Sequence, residues 1–67
     1  MTLDKMLAEI GNKRMPFKAG LAVACQCVSD SGGEVFDEGE SVKLTLKGVE
    51  AHCFQPYQDI DLFYYEC

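Results

Sequence analysis

Cys25, Cys27, His52, Cys53 and Cys67 are the side chains of this 67-residue chain that could ligate a metal, exchange electrons or attack a substrate. Structural zinc calls for thiolates and imidazoles at knuckle spacing, C-x-x-C or C-x2-4-C with H-x3-5-H, and neither pattern is present. Cys25, Cys27 and Cys53 with His52 are the alternative zinc set. If His52 and Cys53 share a strand, however, they point to opposite faces. Free cysteine is also among the most buried residue types, so inert core thiols are the simpler expectation. As a general base His52 lacks a serine or cysteine nucleophile with an orienting carboxylate. So short a chain has little room for a substrate cleft beside a core, so no enzyme and no cofactor is expected.

The other polar feature is acid. The net charge of −5 divides unevenly, with +2 over residues 1–18 and −7 over residues 19–67. A body so negative repels phosphate backbones, which argues against direct nucleic-acid binding. Asp30, Glu34, Asp37, Glu38 and Glu40 do not follow the alternating ligands of a calcium loop. They read either as a solvated, charge-protected edge or as a surface for a basic partner. Tyrosines lie beside more acid at the end of the chain, a pairing common at protein interfaces. Asp37, Glu38, Glu40, Tyr57, Asp59, Asp61 and Tyr65 are therefore the candidate partner-binding residues.

These side chains must be positioned by a small single domain spanning residues 1–67, whose thin core is typical of this length. The apolar fraction of 48% and charged fraction of 25% are those of a globular protein, which sets disorder aside. The longest uncharged run, residues 19–28, is about half of what a bilayer span needs, so no membrane segment is expected. No signal peptide is read at the N-terminus, and a cytoplasmic protein with reduced thiols follows.

Residues 1–14 predict a short amphipathic helix. Thr2 caps it, Leu3, Met6, Leu7 and Ile10 form its stripe, and Gly11 and Asn12 supply a left-handed stop. Met15, Pro16 and Phe17 read as an extended connector. Residues 21–28 predict a strand apolar on both faces, with Cys25 and Cys27 on one row. There Cys25 and Cys27 lie about 6.5–7 Å apart with parallel side chains, which do not bridge. SDSGG at 29–33 is a turn, and 34–36 a short strand. In residues 41–54 a two-residue turn at Lys47 and Gly48 pairs Leu46 with Val49, Leu44 with Ala51 and Val42 with Cys53, so these apolar residues share one face and Ser41, Lys43, Thr45, Glu50, His52 and Phe54 the other. A second turn surrounds Pro56, and residues 60–66 close the sheet. Ile60, Leu62 and Tyr64 form one row of that strand, and Asp61, Phe63 and Tyr65 the other.

One short helix followed by four or five antiparallel strands resembles an SH3-like barrel over residues 17–66. The fold expected is thus mainly β, α+β at the margin, with an open sheet backed by the helix as the alternative. Such compact acidic chains are similar to accessory proteins of bacteria and their phages, some of which block a host nucleic-acid-binding protein. The function expected is a non-enzymatic protein-interaction module whose partner presents a basic surface. Its edge strands leave homodimerisation open.

Overall fold

A computed structural model describes residues 2–67, which form two helices followed by a four-stranded antiparallel sheet. Helix α1 spans Leu3–Asn12 and α2 spans Phe17–Asp30, followed by β1 (Glu34–Asp37), β2 (Ser41–Leu46), β3 (Val49–Phe54) and β4 (Tyr64–Glu66). The strands lie in the order β1-β2-β3-β4, so β1 and β4 are free edges and the sheet is open. The barrel expected over residues 17–66 is not formed. Both helices lie on one face of the sheet and share its core, which makes the fold a mixed α+β one.

The hairpin has the expected register through all its pairs, including Leu46 with Val49, Leu44 with Ala51 and Val42 with Cys53. Lys47 and Gly48 take φ of 53° and 81°, the paired left-handed conformation that matches strand twist in a two-residue turn. Its inner row buries Leu44, Leu46, Ala51 and Cys53, while Val49 at the tip stays exposed. Helix α1 also follows its sequence pattern. Thr2 accepts from the Lys5 amide at 3.3 Å, and Leu3, Met6, Leu7 and Ile10 are all buried. The helix runs through Gly11 and Asn12, and the left-handed residue is Arg14.

The strand expected at residues 21–28 is instead the middle of α2. Its run of valines and small apolar residues satisfies both periods, but length decides in favour of the helix. Fourteen residues with Ala19, Ala22 and Ala24 among them favour a helix. Gly20, Ala24 and Val28, four apart, form its buried stripe. Pro16 stands at its N-cap and presets the entry, so Phe17 is helical, not part of an extended connector. The two glycines expected in a turn end the helix: Gly32 donates to Ser29 O and Gly33 to Val28 O, the paired bonds of a Schellman cap.

Residues 55–63 are irregular, and the last strand is only Tyr64–Glu66. Phe63 turns into the core, where Gly20 makes room for it; a Cβ on Gly20 would sit 2.6 Å from that of Phe63. A Cβ on Gly33 would meet the Thr45 carbonyl, which cannot swing aside as a side chain does. Gly20→Ala is therefore expected to lose about 1–3 kcal/mol by overpacking, and Gly33→Ala at least as much. Urea unfolding monitored by circular dichroism measures both; a midpoint unchanged in Gly20→Ala means that α2 does not lie against Phe63 as described.

Candidate interaction surface

With both helices on the inner face, the outer face of the sheet meets solvent. Alternation along each strand then dictates what it displays. Phe36, Lys43, His52 and Glu66 form one row across all four strands. Glu34, Thr45 and Glu50 form a second row, and Ser41, Phe54 and Tyr64 a third. Lys43 Nζ lies 4.9 Å from the centroid of the Phe36 ring, a cation–π contact. The Phe54 and Tyr64 rings are 5.9 Å apart and tilted by 40°. Glu38, in the turn after β1, places Oε1 3.5 Å from His52 Nδ1. Phe36 and Tyr64 stay 41% and 50% exposed, large for aromatics that could have joined the core.

At one end of this face lies a shallow groove of about 560 Å³ lined by Glu40, Ser41, His52, Phe54, Gln55, Gln58 and Glu66. It joins the turn after β1 to the irregular segment after β3. Gln55 holds that segment by donating from Nε2 to the carbonyls of Ile60 and Gln58, at 3.0 and 3.5 Å.

The residues expected to bind a partner fall into two groups. Glu38 and Glu40 lie on this face and its groove, and Asp37 lies beside them with Oδ1 accepting from the Gly39 amide at 2.9 Å. Tyr57, 64% exposed, and Asp59 sit in the segment that walls the groove through Gln55 and Gln58. Asp61 instead serves the helical layer, where its Oδ1 accepts from the Phe17 amide at 3.0 Å. Pro16 at the N-cap offers no side-chain cap, so a carboxylate far along the chain supplies it. Tyr65 faces inward, opposite Cys53, with its ring 6.2 Å from Phe63. The outward tyrosine of that strand is Tyr64. Phe36, Lys43, Tyr64 and Glu66 are absent from the sequence-derived set. For Phe36 the signal lay in the parity of 34–37 against 42–45.

The zinc alternative divides across the sheet. His52 is on the outer face, Cys53 is fully buried on the inner one, and Cys25 and Cys27 sit on a helix, where a spacing of two separates side chains. Among the described residues, no three histidine, cysteine, aspartate or glutamate side chains are grouped to hold a metal ion. Burial pushes the Cys53 thiol up from 9.0 to about 12, with smaller contributions from Cys25 and Cys67. The Cys67 thiol, which donates to Asp4 Oδ1 at 3.2 Å, is also raised, first by that bond and then by burial. Among the described residues no helix is long and apolar enough to cross a membrane. Comparison of the chain with protein-family models, with curated proteins and with solved structures finds no match.

Two outcomes follow from these placements. Asp61→Ala is expected to cost about 1 kcal/mol as a lost helix cap, whereas Asp59→Ala changes stability by less than about 0.5 kcal/mol. Chemical denaturation separates them; equal effects would remove the cap. A raised thiol pKa means that the fold holds the neutral form. The stability contributed by Cys53 is complete below pH 9.0 and is lost as pH rises toward about 12. The urea midpoint should thus fall across that window, and fall less steeply in Cys53→Ala.

Proposed function

We propose that this chain is a small acidic interaction module, not an enzyme, that binds a basic surface of a partner protein through the outer face of its sheet. One observation carries the reading: the sheet and its turns hold a net negative charge while the helical layer is nearly balanced. Lys5, Lys13, Arg14 and Lys18 belong to the helical layer and its linker. The sheet and its turns carry Glu34, Asp37, Glu38, Glu40, Glu50 and Glu66 against Lys43 and Lys47. A basic partner is therefore drawn toward the sheet, and less so toward the helical layer, where Asp4, Glu9 and Asp30 nearly balance the four cations.

Exposed Phe36, Tyr57 and Tyr64 supply the apolar area that charge alone does not, and aromatic rings give such area at small entropic cost. The described residues hold no buried polar side chain, and the groove is open and shallow, which suits contact with a surface better than enclosure of a substrate. An acidic face repels nucleic acid directly but fits the cationic groove of a protein that binds it. A cytoplasmic accessory or inhibitor protein of bacterial or phage type is the role that suits these properties.

A partner captured at about 50 mM salt should be released near 500 mM, since exposed charge pairs are screened over a few ångströms at the higher value. Glu50→Lys with Glu66→Lys should weaken the purified complex at least roughly tenfold, as reversal of interfacial charge does. Glu9→Lys, on the helical layer, should leave it within about twofold of the parent. Titration calorimetry reads all three. Equal losses from both sides of the molecule, or an affinity indifferent to salt, would remove the basis for this reading.

A further inference from the structure

The edge strand β1 has one neighbour, and its hydrogen-bond phase leaves it half satisfied. Glu38 N donates to Ser41 O at 2.9 Å, so Glu38 and Ser41 are a hydrogen-bonded pair. Antiparallel ladders alternate, which makes Phe36 with Lys43 and Glu34 with Thr45 the next bonded pairs. The N–H and C=O groups of Val35 and Asp37 therefore point away from β2, toward solvent. All of β1 is exposed, with Val35 and Phe36 at 37% and 41%. At the opposite edge, the same alternation leaves only Tyr65 of the three-residue β4 with outward backbone groups.

We infer that β1 accepts an extended cationic segment of the partner as a fifth, antiparallel strand, one with apolar residues opposite Phe36 and Val35 and lysine or arginine opposite Asp37 and Glu34. This rests on the proposed binding of a basic partner and specifies how it docks. Main-chain bonds to Val35 and Asp37 provide the register, and alternate side chains read the two faces. Charge selects the occupant. A second copy of β1 pairs only with outward residues opposite one another: centred on Phe36 it sets Glu34 opposite Glu38 at both ends, which is repulsive, and centred on Val35 it supplies no cation to Glu34 or Asp37. A strand with cations opposite Glu34 and Asp37 makes both contacts favourable and adds its apolar pair to Val35 and Phe36. The ring of Phe36 is already held on one side by Lys43.

The test uses the whole chain, labelled with ¹⁵N, and the capped hexapeptide Lys-Lys-Val-Val-Lys-Lys at low salt. Val35 and Asp37 amides should exchange at least tenfold more slowly with peptide bound. The glutamate version, Glu-Glu-Val-Val-Glu-Glu, should not bind. Val35→Pro removes an outward amide that β2 does not use, so the fold is retained while affinity falls at least tenfold. N-methylation of the peptide at the residues opposite Val35 and Asp37 should do the same, and it needs no protein variant should Val35→Pro misfold.

Lysine peptide that binds with unchanged exchange at Val35 and Asp37, or equally well when N-methylated, overturns strand addition while leaving the acidic face as a docking surface. Absence of peptide binding beside retained binding of a folded basic protein, such as a cytochrome c, likewise overturns strand addition alone. Absence of both overturns the proposed function as well.

Discussion

The sheet has one apolar face, and the whole molecule is arranged by the need to cover it. Leu44, Leu46, Ala51 and Cys53 present a continuous inner row, and two amphipathic helices lie across it. Burial of apolar side chains contributes about 1.5–3 kcal/mol each, so a chain of this size has no second core to spare. Once both helices are committed to that side, nothing remains to cover the other. The open face with Phe36, His52, Phe54 and Tyr64 is thus a consequence of length as much as of sequence.

Close approach is what lets two helices serve where a barrel would otherwise have to close on itself. Gly20 receives Phe63, and Gly33 passes the β2 backbone. These contacts pull the irregular stretch before β4 over the helical layer, where Phe63 N donates to Met15 O at 3.0 Å. A barrel would have used residues 60–66 as a full closing strand. Here Phe63 fills the space between layers instead, and only three residues are left to pair with β3.

The local parts of this structure were legible in the sequence, and the parts set by distant contacts were not. The 41–54 hairpin was readable because its turn and its alternation agree on one register, and α1 because its cap and stripe agree on one period. Residues 21–28 satisfied both periods, and the arbiter was the whole length from Phe17 together with small residues every fourth position. The parity of the last strand could not be read locally either. Ile60, Leu62 and Tyr64 are no less apolar than Phe63 and Tyr65, and the choice between them is made by the glycines of the helices. This is why the sequence offers Tyr65, and not Tyr64, as an exposed tyrosine of that strand. The acidic turn residues needed no such information: Glu38 and Glu40 had no apolar row to join.

Recognition by an irregular segment is costly when that segment must be ordered on binding, and residues 55–63 are the least regular part of the molecule. Their backbone is nevertheless tied at several points. Gln55 bonds the carbonyls of Gln58 and Ile60, Asp61 holds the start of α2, and Phe63 is anchored by both its amide and its ring. Tyr57 and Asp59 therefore project from a braced loop beside the groove, and the ordering cost that would offset their contacts has already been met in folding. The capping role of Asp61 is part of that bracing. The Asp61 carboxylate acts on the chain itself, and by doing so it holds its exposed neighbours in place.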